Sequence, residues 1–281
     1  MSNTYRYVVM KGKTMQDNEP KAFIPPVRLG MKSKFEFECH PGISCFTRCC
    51  RGINIILTPF DVITLKNRMG LSSHEFLAIY TEPHLLEKTD LPMVTLKLLD
   101  DDRKSCPFVK DEEGCIIYKD RPTACRYYPL GVATLQHKEG ADGDDGFFFF
   151  VNEPHCKGFE EKKEWQVREW REDQGVDLRD KVNAEWTDLV VRKRSFPASI
   201  KLTEKAKQLF FMVSYDVDKF RSFVFESAFL KRIDVDDATV GKIKNDEIEL
   251  LKFGLKWLKS VLFKQTDPEQ QAANTTEKAN P

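Results

Sequence analysis

Cys39-His40-Pro41-Gly42-Ile43-Ser44-Cys45-Phe46-Thr47-Arg48-Cys49-Cys50 places four thiols within twelve residues. The other four of the chain's eight cysteines are Cys106, Cys115, Cys125 and Cys156, and none follows. Thiolates are soft ligands that select zinc, iron–sulfur clusters or copper(I). Four close a tetrahedral site, and four also hold one cubane cluster. Eight suffice for two such sites, with the partition left open by sequence. Scattered buried thiols would pack as small hydrophobes, but the dense group at 39 to 50 and the desert after Cys156 point to metal. A helix over 45–50 would put Cys45 and Cys49 on one face and rotate Cys50 away by about 100°. Adjacent cysteines then feed neighbouring sites or one multinuclear site.

Working outward, Cys106-Pro107 keeps a ligand in extended backbone. Gly114 before Cys115 allows close approach of the chain. Arg48, Arg51, Arg121 and Arg126 flank ligands and could offset thiolate charge by hydrogen bonds to sulfur. His40 and His155 each sit beside a cysteine, as alternative ligands or as exposed or outer residues. His74, His84 and His137 lie apart from the cysteines. Tyr118, Tyr127 and Tyr128 are redox or packing candidates, with packing preferred.

The chain has 281 residues, 41% of them hydrophobic and including 21 Phe. A core is therefore affordable without staples, so a weak core does not explain the cysteines. Lys plus Arg equals Asp plus Glu at 44 each, which gives no global field for nucleic acid or acidic lipid. No apolar run approaches the ~20 residues of a membrane span. Residues 1–11 lack a secretory h-region, so a reducing, cytoplasmic compartment is expected, where structural disulfides are rare.

Four regions are expected: an arm at 1–30, interrupted by Pro20, Pro25 and Pro26; a cysteine-cluster domain at 31–160; a helical segment at 161–265; and a polar, disordered tail at 266–281. Ile53–Leu57 is a short strand candidate. Thr58-Pro59-Phe60-Asp61 then opens a helix, Thr58 capping it and Asp61 facing the cap amide or the dipole, and Gly70 ends it. Ser72-Ser-His-Glu75 opens a second helix. Gly140–Gly146 is a loop before a Phe147–Val151 strand; it lacks calcium-ligand spacing. Phe210, Phe211, Val213, Val217, Phe220, Phe223, Val224 and Phe229 show helical periodicity. Leu250, Leu251, Leu255, Leu258 and Leu262 form a second apolar stripe. The fold class is α+β: short strands and helices arranged around metal, then helices packed upon them.

Cys39 to Cys50, Leu57-Thr-Pro-Phe-Asp61, Cys106-Pro-Phe, Gly114-Cys-Ile-Ile-Tyr118, Arg121-Pro-Thr-Ala-Cys125-Arg-Tyr-Tyr-Pro129 and His155-Cys156-Lys-Gly158 resemble the YkgJ-type cysteine-cluster proteins over about residues 35–160. The resemblance implies chelation of zinc or iron by all eight cysteines. The first spacers depart from the family's C-x2-C-x2-C-C, being x5 and x3 here. Flagellin lysine methylases are similar in carrying a related cluster. That resemblance implies an enzymatic alternative, methyl transfer to protein lysine from S-adenosylmethionine. However, no Gly-rich strand-to-helix signature and no C-x3-C-x2-C of radical enzymes is present. A zinc-stapled module docking a protein partner through the helical segment is a third reading. The leading expectation is a metal-binding protein, with a [4Fe–4S] cluster slightly favoured over Zn2+. No catalytic residue can be named.

Overall fold

Thr58 accepts the Asp61 amide through its hydroxyl, and the Asp61 carboxylate accepts the Thr58 amide in return. This reciprocal cap opens α1 (Pro59–Met69), with proline where no amide is required and Gly70 left-handed at the other end (φ 66°). Ser72 and Glu75 repeat the device at α2 (Ser73–Tyr80). Both helix starts lie where the sequence placed them. The computed structural model describes residues 27–134, 146–197 and 199–263. The expected tail at 266–281, most of the expected arm at 1–30, His137 and most of the 140–146 loop lie outside these residues.

Among the described residues the strands form four separate antiparallel pairs. β1 (Lys34–Glu36) pairs with β8 (Glu164–Gln166), setting Phe35 opposite Trp165. β2 (Thr81–Leu86) and β3 (Leu91–Leu96) make a hairpin. So do β4 (Val109–Lys110) and β5 (Gly114–Cys115), and the longer β6 (Leu130–Thr134) and β7 (Gly146–Phe150). α3 (Thr123–Tyr127) links the second hairpin to the third. Strand β7 fulfils the Phe-rich expectation. The Ile53–Leu57 segment forms no regular strand. It touches β3 through a bridge at Ile56 and bonds at Leu57 and Ile55, and the cap of α1 begins before a ladder can grow. β8 adds a three-residue strand at the start of the segment 161–265, which is otherwise helical. Three residues are too short for a periodicity to register, and the strand exists only because β1 lies beside it.

The rest is helical: α4 (Val167–Gln174), α5 (Val176–Ser195), α6 (Glu204–Tyr215), α7 (Val217–Glu226), α8 (Asp237–Asn245) and α9 (Glu247–Phe263). The Phe stripe is split between α6 and α7 at Asp216, whose carboxylate accepts the Lys219 amide and the Ser73 hydroxyl. The stripes are spent on core: Phe210, Phe220, Val224, Leu250, Leu255 and Leu258 are fully buried. Each large side chain contributes about 1.5–3 kcal/mol by leaving water. One large cluster unites Ile55 to Ala124 with Val182 to Phe263. A smaller one gathers Leu29, Phe35, Phe37, Leu130, Val167 and Trp170. Among the described residues, no helix is long and apolar enough to cross a membrane. The architecture is α+β, as the sequence implied.

Candidate metal centre

Cys106, Cys115 and Cys125 pack on the edge of the large cluster, whereas Cys156 packs on the small one. The seam between the clusters is therefore where the cysteines meet. All eight line a single cavity of about 350 Å3.

Backbone pairing brings the first group to the last. Phe37 and Glu38 donate their amides to the carbonyls of Lys163 and Gly158, at 2.9 and 3.1 Å. Cys39 thereby lies beside the Cys156 loop. The Lys157 amide donates to Cys45 Sγ at 3.2 Å. Residues 45–50 do not form the helix that sequence spacing allowed. Thr47 is left-handed (φ 63°), and a 3-10 turn follows at Arg48–Cys50. The tight turn sets Cys49 Sγ and Cys50 Sγ 4.0 Å apart.

The middle group docks by its backbone as well. The Cys106 amide donates to the Cys50 carbonyl at 2.9 Å, and the Gly52 amide to the Lys104 carbonyl at 2.9 Å. Cys115 faces Val109 across the β4–β5 hairpin. Gly114 before it is left-handed (φ 81°), and any Cβ there would sit 2.8 Å from the Phe46 ring. The close approach read from sequence is thus real. Cys125 rides on α3, whose start is held by Asp61: its Oδ1 accepts the Thr123 amide at 2.9 Å and hydroxyl at 2.7 Å.

Cys39, Cys50, Cys106 and Cys115 disfavour their charged form. Burial pushes Cys39 up to about 11, with Cys49, Cys45 and Cys156 adding to it and Arg121 opposing. Burial likewise lifts Cys106 to about 11, against the Phe108 amide. Cys50 is driven upward by its contact with Cys49, then by burial and by Cys125 and Cys106. Burial raises Cys115 too. Crowded, partly desolvated thiolates repel one another, and a bound cation inverts that penalty. The donor set is soft and uniform, which fits zinc or iron. No three of these sulfurs lie within 4.8 Å of one another; among the described residues the compact trio is Glu38, His40 and Glu161.

The four flanking arginines separate. Arg48 is exposed. Arg51 bonds Thr47 and Asp111. Arg126 serves the carbonyls of Gln174, Lys119 and Arg121. Arg121 alone of the four borders the cavity. His155 also borders it, its Nε2 3.2 Å from Glu153. His40 lies outside, its Nε2 3.7 Å from Glu161. His74 and His84, on α2 and β2, are remote from it. Tyr118 and Tyr128 border the cavity, and Tyr128 faces the Cys156 thiol. Tyr127 instead donates to Asp180.

Sequence reasoning missed part of the wall. Trp165, Trp170, Asp173 and Gln174 come from β8 and α4. They belong to a region without cysteines, and no local signal marked them. Glu38 and Glu161 were also missed, although Glu38 directly precedes Cys39.

No curated protein and no solved structure matches the chain. Residues 38–157 match the CxxCxxCC family model, described as "Putative zinc- or iron-chelating domain". That span begins one residue before Cys39 and ends one after Cys156, so all eight cysteines fall within the match, and this part of the chain is a metal-binding region similar to the CxxCxxCC cysteine-cluster family.

Proposed function

We propose that this protein carries an iron–sulfur centre, of the [4Fe–4S] kind, held by cysteines drawn from Cys39, Cys45, Cys49, Cys50, Cys106, Cys115, Cys125 and Cys156. The spacing of the sulfurs carries the reading. A tetrahedral four-thiolate zinc site, with Zn–S near 2.3 Å, needs sulfurs about 3.8 Å apart on every edge. No three sulfurs here come within even 4.8 Å. Thiolates of a cluster bind different iron atoms, so their sulfurs stand wider. The volume agrees: about 350 Å3 far exceeds the ~10–15 Å3 that admits one water-sized guest.

When bound, such a cluster supplies one-electron chemistry. The chain's own residues hold and shield it. Phe37, Trp165, Trp170, Ile55, Leu96 and Phe108 give the cavity a largely apolar lining. No disulfide joins any of the eight thiols, a condition that a reducing compartment such as the cytoplasm preserves.

Anaerobic purification followed by iron, acid-labile sulfide and zinc analysis tests the reading. Iron and sulfide in equal amounts are expected. Stoichiometric zinc without sulfide would overturn it.

A further inference from the structure

We infer that Arg121 is a positioning residue for the metal centre: its buried Nε–H donates to a ligand sulfur or cluster sulfide, and its charge offsets the thiolates. The inference rests on the iron–sulfur reading for its cluster form. The observations are geometric. Arg121 borders the cavity. Its Nε is buried and has no acceptor among the described residues. Leaving a charged group's buried donor unpaired is costly, so an acceptor in the cavity is called for. Arg51 and Arg171 also bury an unpaired Nε, but neither borders the cavity.

The guanidinium is held in place from two sides. Its Nη2 donates to Gln174 Oε1 at 2.6 Å. Its plane lies over the Tyr118 ring, 3.8 Å from the centroid. The group is thus oriented before any metal arrives, which removes the entropy cost of ordering a long side chain. Its charge is felt at Cys39 and at Cys115. These two ligands come from distant parts of the chain, so Arg121 stands where the first and middle cysteine groups converge. A cation and N–H donor at that place stabilises the more negative, reduced state of a cluster, and hydrogen bonds to the sulfurs tune its potential.

The experiment uses the full chain, purified anaerobically as wild type, R121Q and R121K. Metal and sulfide content of the wild type is measured first and reports on the iron–sulfur reading alone. Spectroelectrochemical titration then follows the cluster. R121Q is expected to be harder to reduce by about tenfold in the equilibrium, about 59 mV for one electron. R121K keeps the charge and should fall between R121Q and wild type. A wild-type potential in R121Q at full cluster occupancy would overturn the inference. If R121Q does not fold, R121K decides: a shift supports the Nε–H contact, and an unchanged potential overturns it. If the wild type holds zinc without sulfide, the cluster reading fails but the Arg121 inference is still tested. Zinc release to a chelator should then be about tenfold faster from R121Q, and an unchanged rate overturns it.

Discussion

Arg179 donates from Nη1 to Asp61 Oδ1 at 2.8 Å, and the Asp61 side chain is completely buried. This one carboxylate joins three elements. It caps its own helix α1, holds the start of α3 through Thr123, and pairs with α5. Since α3 carries Cys125, the anchor of the helical half is also an anchor of the metal centre. Breaking one side of a buried pair costs about 3–5 kcal/mol, because the other charge stays buried without compensation. D61N should therefore lower stability by about that amount in denaturant titration, and metal retention should fall with it. A D61N/R179M double variant should lose less than the two single changes summed.

Single Cys→Ser changes test the ligand set. Cys49 neighbours Cys39, Cys50, Cys106 and Cys115 electrostatically. C49S should therefore reduce bound metal most. H74A, on an exposed face of α2, serves as a control and should keep full metal content and stability within about 0.5 kcal/mol. Metal analysis of the purified variants checks both.

Gly158 lies under the Phe37 ring and the Glu38 carbonyl; a Cβ there would meet them at 2.5 and 2.8 Å. The Glu38 contact is backbone and cannot swing aside. G158A should force apart the two segments bearing Cys39 and Cys156. An overpacking cost of about 1–3 kcal/mol is expected. Faster metal loss to a chelator, at unchanged helical circular dichroism, would show the strain acting at the centre.

Metal uptake should release protons. Cys39 and Cys106 are pushed up to about 11, so in the metal-free protein they stay protonated at neutral pH. Each must lose its proton to become a ligand. The sign follows: apparent affinity rises with pH up to about 11 and weakens as pH falls. Cobalt(II) titration in weakly buffered solution, with a pH indicator, should show about one proton released per thiolate bound.

How much of this was legible beforehand differs by element. The starts of α1 and α2 were readable because their caps are complete within four residues. The Phe and Leu stripes named α6, α7 and α9 because periodicity repeats over several turns. By contrast, β8 and the irregular turn at Cys45–Cys50 were not readable. Each depends on partners far along the chain: β1 for the strand, and the Lys104–Cys106 backbone for the turn. The Asp61 network was half legible: its cap is local, but its partners Thr123 and Arg179 are 62 and 118 residues away.

The chain by itself determined which atoms can serve the centre, because ligand chemistry is a property of residue type: eight thiols, in three groups, with arginines flanking Cys49, Cys50 and Cys125. Only the tertiary structure decided that all eight face one cavity, that no three of their sulfurs stand within 4.8 Å of one another, and that Arg121 alone of the four arginines borders that cavity. Those are distances between segments separated by up to 117 residues from Cys39 to Cys156. Such distances are set by how two hydrophobic clusters close on one another, which no local pattern encodes.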